Sequence, residues 1–260
     1  MDQIKKLEVS EFKDIASKLS FDEILLAKDY YIMVILFLLK DLEGISFKGG
    51  TAIQKIILNR ARLSEDIDFT VTGDLEGITK RITTVLRKSG FFTNITKDKD
   101  VEGFTRLVIH FKNYSGHDDT IFIDLNKRAR LHLKPEMHEI RHFYKESIPA
   151  FKFQTLALKE MVAEKVAAAV TRNKPRDHFD LYKIAQRMPI DLSLARKKCR
   201  ESGTEFSIIK MFNNAKKLKK RWDKDMLPLI SEEVAFEEVM KTLARHFGLK
   251  KEKEIASKKK

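Results

Sequence analysis

The chain has 260 residues, 43% of them hydrophobic and 34% charged, with only 10 glycines and 5 prolines. That length is enough to bury the core of one large domain or two small ones, and the composition excludes collagen-like, fibrous and largely disordered classes. A formal net charge of +13 favours polyanionic partners, with nucleic acid, nucleotides and acidic lipid surfaces as the candidates.

Cys199 is the only cysteine, so neither an intrachain disulfide nor a thiolate metal cluster can form, which fits a reducing cytoplasm. Residues 1–10 carry Asp2, Lys5, Lys6 and Glu8 and contain no apolar signal core. The apolar run from Tyr30 to Leu39 falls well short of the roughly 20 residues that span a bilayer. It is expected to be a buried helix of a protein without membrane spans.

In chain order, residues 21–42 read as a central packing helix, apolar on most faces. Gly44 ends it, and Ile45, Ser46 and Phe47 form a short strand running into Lys48-Gly49-Gly50-Thr51. Residues 52–58 read as a helix, with Ile53, Ile56 and Ile57 as its apolar positions. Residues 63–72 alternate as a strand, with Ile67, Phe69 and Val71 on one face and Asp66 and Asp68 on the other. Residues 77–89 are helical, and strands at 105–111 and 120–125 flank a polar hairpin loop at 113–119. Near residue 150 the character changes. Residues 154–171 form an alanine-rich helix, Pro175 opens another over 176–187, and the remainder is helical and basic. The expected organisation is α+β: a mixed sheet flanked by helices over 1–150, an all-helical half over 151–250, and a flexible basic tail over 251–260.

The densest chemical signal is the ordered set Gly49-Gly50-Thr51, Asp66-Ile67-Asp68 and Asp124. Two carboxylates at i and i+2 on a strand point the same way and repel unless a cation lies between them. Magnesium, which takes oxygen ligands and substrate phosphates, suits such a pair. Standing alone, the pair would read as two solvated acids on an edge strand. Glycines between a strand and a helix let a ligand approach the backbone, and the free N–H groups of the helix start favour phosphate. Asp124 sits in Ile121-Phe122-Ile123-Asp124-Leu125, where an acid requires a partner or a metal. If its strand neighbours that of Asp66 and Asp68, the three converge, and Asp124 becomes the expected third ligand of a two-ion site. The alternative is a strand-end carboxylate.

In the helical half, Lys165 and Arg172 share one face at a spacing of seven, and Arg176, Asp177 and Asp180 follow on the next helix. These cations could contact triphosphate oxygens. The competing reading is an inter-helix salt-bridge network among Lys165, Arg176, Asp177 and Asp180.

Phe47-Lys48-Gly49-Gly50-Thr51-Ala52 followed by Leu63-Ser64-Glu65-Asp66-Ile67-Asp68-Phe69 resembles the AbiEii/AbiGii family of nucleotidyltransferase toxins. Lys28-Asp29-Tyr30-Tyr31, Ala163-Glu164-Lys165 and Pro175-Arg176-Asp177-His178-Phe179-Asp180-Leu181-Tyr182 resemble it too, so the similarity runs from about residue 21 to 187. The resemblance implies a polymerase-β-like nucleotidyltransferase fold whose helical half completes the active site. It implies Asp66 and Asp68 as metal ligands. Lys48, Gly49, Gly50, Thr51, Arg172 and Arg176 are expected to bind nucleotide, and Lys165 with Asp177 and Asp180 to be further active-site residues. The implied activity is magnesium-dependent transfer of a nucleoside monophosphate from an NTP to an acceptor hydroxyl, as the toxin of an abortive-infection system. RNA, in particular a tRNA 3′ end, is the expected acceptor, and a separately encoded antitoxin is the expected partner. Two rival readings remain: a non-catalytic nucleic-acid-binding protein on the same fold, and an enzyme that nucleotidylates protein.

Weaker signals are His138 and His142, whose spacing of four would suit zinc on a helix but lacks further ligands; Trp222, Tyr30 and Tyr31 as base-stacking or core aromatics; and the run Lys216-Lys217-Leu218-Lys219-Lys220-Arg221 as an RNA-phosphate contact or a solvated helix face.

Overall fold

A computed structural model describes residues 4–258. The chain divides into two compact units, one ending at Ala157 and the other beginning at Leu158.

The first unit contains α1 (Val9–Leu19), α2 (Glu23–Leu39), β1 (Ile45–Lys48), α3 (Gly49–Ile56), β2 (Asp66–Val71), α4 (Leu75–Lys88), β3 (Asn94–Val101), β4 (Phe104–Lys112), β5 (Asp118–Asn126), β6 (Glu136–Glu139) and β7 (Lys152–Thr155). The strands form one mixed sheet in the order β3-β4-β5-β2-β1-β7-β6. β2 runs antiparallel to β1 and parallel to β5, and β5 runs antiparallel to β4.

Period-two alternation sets the two faces of the sheet. Ile67 and Phe69 of β2, Leu107 and Ile109 of β4, and Ile121, Ile123 and Leu125 of β5 are all buried on one side. Helices α2 and α4 pack against this part of the sheet. α2 has Leu, Ile, Tyr, Met or Phe around its whole circumference, so 12 of its 17 residues are buried and it serves as the core helix. Asp22 caps it by accepting a hydrogen bond from the Leu25 N–H at 3.0 Å. The opposite sheet face carries Asp66, Asp68, Phe122, Asp124 and Arg106, all half-buried.

The second unit is helical throughout: α5 (Leu158–Thr171), α6 (Pro175–Ala185), α7 (Leu192–Glu201), α8 (Ile208–Phe212), α9 (Ala215–Met226), a 3-10 turn at Leu227–Leu229, α10 (Phe236–His246) and α11 (Leu249–Ser257). Pro175 opens α6, where its missing N–H costs nothing. The buried Lys198 of α7 binds Glu160 at 2.6 Å and Glu164 at 3.3 Å, tying α7 to α5. Among the described residues no helix is long and apolar enough to cross a membrane.

Three sequence expectations are corrected. A helix starting at residue 154 does not form. Phe153 and Thr155 are buried while Lys152 and Gln154 are exposed, and that alternation makes β7, which pairs with β1 and β6. The unit boundary therefore lies beyond residue 150. The expected helix at 52–58 starts earlier, because Gly49 and Gly50 are themselves its first two residues. The flexible basic tail is instead helical over α11: Lys, Glu and Ala are strong helix formers, and Gly248, at φ +62°, turns the chain out of α10 into it. The last two residues of that tail, Lys259 and Lys260, lie outside the described residues, as do residues 1–3.

Candidate active site

Asp66 and Asp68 flank the fully buried Ile67, and Phe69 beyond them is buried too. The two carboxylates thus share the half-open face of β2, and the core on the other face fixes their direction. On the neighbouring strand β1, Lys48 stands in register with Asp68. The chain then turns directly into α3 at Gly49, with φ +78°. A Cβ at Gly49 would overlap the Asp68 carboxylate, so that acid lies directly on the glycine bend. The first N–H groups of α3 carry the positive end of the helix dipole at the same place. The Asp68 carboxylate and the N-terminus of α3 thus meet at one point of the unit.

Thr51 does not present its hydroxyl to this space. It is buried, and its Oγ1 bonds Ser64 Oγ at 2.8 Å and the Asp66 carbonyl, joining α3 to the start of β2. Only its backbone N–H is left for the expected nucleotide contact, because the hydroxyl positions β2.

Asp124 is in register with Asp68 on the parallel neighbour β5. Its carboxylate, however, is gripped by Arg106 of β4, Nε to Oδ1 at 2.6 Å and Nη2 to Oδ2 at 2.8 Å, a fork-on-fork pair. Arg106 and Asp124 are also register partners, and Lys99 of β3 is the next partner along. A single row thus crosses five strands: Lys48, Asp68, Asp124, Arg106, Lys99. The guanidinium lies 5.1 Å from the centroid of the Phe122 ring. Its hydrogen bonds to Asp124 hold the Arg106 pKa above its ordinary value, and the charges of Asp66 and Asp98 add to the effect.

Asp66 and Asp68 fit a magnesium ion, which needs one or two carboxylates beside substrate phosphates. Asp124, the expected third ligand, lies beside Asp68 on the adjacent strand and carries the Arg106 fork. Among the described residues no group of three or more His, Cys, Asp or Glu stands so as to hold a metal ion. Sequence reading missed Arg106, because only the pairing of β4 with β5 sets it against Asp124.

The helical unit has a charged cluster of its own. Lys165 Nζ lies 3.2 Å from Asp177 Oδ1 and 2.9 Å from Asp180 Oδ2, and all three side chains are buried. Arg172 forks onto Asp177 at 2.8 Å through both Nε and Nη2. Burial alone would raise the Asp177 pKa, but Lys165 and Arg172 reverse the sign and hold it well below the usual carboxylate range. Lys165, Asp177 and Asp180 are three of the four members of the inter-helix network weighed from the sequence, and Arg172 joins them. Arg176, half-buried, lies in the first turn of α6.

The weaker candidates resolve into structure. His138 lies on β6, bonded to Glu136 at 2.8 Å, and His142 follows in a loop, so no helix face joins them. Tyr30 and Tyr31 are core residues. Trp222 is buried too, donating to the Val234 carbonyl at 2.9 Å. The lysine run forms α9, where Leu218 faces inward and Lys219 pairs with Glu237.

A search of curated proteins found no match. Among solved structures, the fold is similar to MenT4, a nucleotidyltransferase toxin from Mycobacterium tuberculosis H37Rv, with a TM-score of 0.67 and 18% identity over 93% of this chain and 89% of that one. It is also similar to JHP933 from Helicobacter pylori, with a TM-score of 0.61 and 18% identity over 92% and 97% of the two chains. The family model described as nucleotidyl transferase AbiEii toxin, type IV toxin–antitoxin system, matches residues 33–242. The chain therefore belongs to the AbiEii nucleotidyltransferase toxin family.

Proposed function

We propose that this nucleotidyltransferase is magnesium-dependent, that it transfers a nucleoside monophosphate from an NTP to a hydroxyl of RNA, and that the acceptor is the 3′ end of a tRNA. The observation that carries the reading is the contact between the Asp68 carboxylate and the Gly49 bend, with Asp66 on the same strand face. Asp66 and Asp68 would hold magnesium, which when bound offsets triphosphate charge and polarises the reacting phosphate.

The protein groups have separate tasks. The α3 N–H groups and Lys48 bind and orient the triphosphate. Thr51 fixes the start of β2 and with it the direction of Asp66. The acceptor oxygen attacks the α-phosphorus, the bond from that phosphorus to the bridging oxygen breaks, pyrophosphate leaves, and the hydroxyl proton passes to solvent. The +13 charge favours a polyanionic acceptor over an average protein surface. A reducing cytoplasm, where tRNA is found, suits a chain with one buried cysteine. The family's type IV toxin–antitoxin setting supplies the partner class, a separate antitoxin.

Incubating the chain with each α-labelled NTP, magnesium, total RNA and bulk protein tests this. Label in tRNA that is removed by 3′ trimming is the expected result. Label on protein would redirect the acceptor assignment, and no label in any fraction would support a non-catalytic binding role.

A further inference from the structure

We propose that the Phe122 ring, braced by the Arg106 guanidinium, is the stacking platform for the terminal nucleobase of the acceptor RNA. The inference deepens the reading given above and rests on it, with the triphosphate bound at the Gly49 bend beside Asp66 and Asp68.

Along β5 the core face is Ile121, Ile123 and Leu125, all buried. The half-buried positions of the strand are Asp119, Thr120, Phe122, Asp124 and Asn126, so Phe122 is the one apolar side chain among them. The register of β2 with β5 sets it beside Asp66, on strands about 4.8 Å apart. The Arg106 guanidinium stands over the ring, 5.1 Å from its centroid. That guanidinium is itself fixed by its two bonds to Asp124, at 2.6 and 2.8 Å. Aromatic rings and arginine planes are the groups on which proteins stack unpaired bases. Position decides which base is stacked. The sheet order β4-β5-β2-β1 puts Lys48 and the Gly49 bend on one side of the β2 acids, and Phe122 with Arg106 on the other. In phosphoryl transfer the attacking and leaving oxygens lie roughly in line through phosphorus. With the triphosphate on the α3 side, pyrophosphate departs there and the acceptor hydroxyl arrives from the β5 side, over Phe122. A flat ring in that place holds the end of the strand, and through it the hydroxyl, where transfer needs it. Every base has a π-face, so the platform fixes the end without reading its sequence.

The test compares a tRNA transcript with the same transcript carrying an abasic 3′-terminal nucleotide, which keeps the sugar hydroxyls, on wild type, Phe122→Ala and Phe122→Tyr. Phe122→Ala should raise the KM for intact tRNA by roughly 5- to 150-fold, the effect of losing one base–aromatic stack, with the KM for NTP within about twofold of wild type. Phe122→Tyr should stay close to wild type. Removing the terminal base should penalise wild type by the same factor and Phe122→Ala no further. If Phe122→Ala does not fold, the abasic transcript on wild type and the fluorescence of Phe122→Trp decide, since intact tRNA should quench the added indole and the abasic transcript should not. An unchanged KM for tRNA in Phe122→Ala, a rise confined to the KM for NTP, wild type indifferent to the terminal base, or equal quenching by both transcripts would each overturn the inference and leave the acceptor assignment standing. No labelling of tRNA by wild type would overturn both together.

Discussion

The Asp68 carboxylate fills the space that a side chain on Gly49 would occupy. That contact places an acid, a left-handed backbone position and a helix N-terminus at one point, and it fixes what residue 49 can be. Gly49→Ala adds a methyl group where φ is +78°, a strain of roughly 1–2 kcal/mol, and it pushes Asp68 aside. The expected outcome is a loss of transfer of about 100-fold or more, since displacements near 1 Å at reacting groups have that effect, with a modest drop in melting temperature. The kcat/KM for labelled NTP, measured beside a melting curve, checks it. A variant within about twofold of wild type would show that the close approach is incidental.

A buried ion pair anchors α3 from the other side. Lys55 Nζ lies 2.5 Å from Asp29 Oδ1, with both side chains almost fully buried, and Tyr144 donates to Asp29 Oδ2 at 3.1 Å. Burial pushes the Lys55 pKa down, and Asp29 opposes that shift. Asp29→Ala should cost about 3–5 kcal/mol by leaving the ammonium uncompensated, whereas the double variant Asp29→Leu with Lys55→Met should recover most of the loss. Urea unfolding of the three proteins measures both effects. A double variant no more stable than Asp29→Ala would contradict the pairing argument.

His142 makes the first unit sensitive to acid. Burial, reinforced by the nearby Lys55, lowers its pKa from 6.5 to about 4. Its Nδ1 accepts the Tyr144 N–H at 3.2 Å, which requires that nitrogen to be unprotonated. The unfolded chain therefore binds a proton between pH 6.5 and about 4 that the folded chain does not. The stabilisation is full above pH 6.5 and is lost progressively as pH falls through that window. Unfolding free energy measured from pH 7.5 to 4.5 should fall less steeply for His142→Gln than for wild type. Identical slopes would place the acid sensitivity elsewhere.

Much of this site was legible from the residues. Alternation around Ile67 set Asp66 and Asp68 on one face, and a glycine pair between strand and helix marked the bend, because both signals are local and periodic. That Asp124 would approach Asp68 if their strands were neighbours was also readable, and the register of β2 with β5 sets the two side by side. Other features were not legible, because partners distant in sequence decide them. Arg106 looks like a solvated strand residue until pairing of β4 with β5 sets it against Asp124. Thr51 reads as a phosphate contact until Ser64 and the Asp66 carbonyl take its hydroxyl. Gln154 and Thr155 run without punctuation toward the helical Leu158, so only pairing with β1 and β6 makes them a strand. The lysine-rich end reads as frayed by charge, although its Lys, Glu and Ala content favours α11.

The most direct test of the proposed chemistry is label transfer from α-labelled NTP to RNA by wild type and Asp68→Asn side by side, with circular dichroism confirming that both are folded. Removing one carboxylate of the pair while keeping its shape should lower transfer by on the order of 1,000-fold, as loss of a preorganised charge at a reacting centre does. Incorporation by Asp68→Asn close to the wild-type level would contradict a transfer reaction run by the acids of β2.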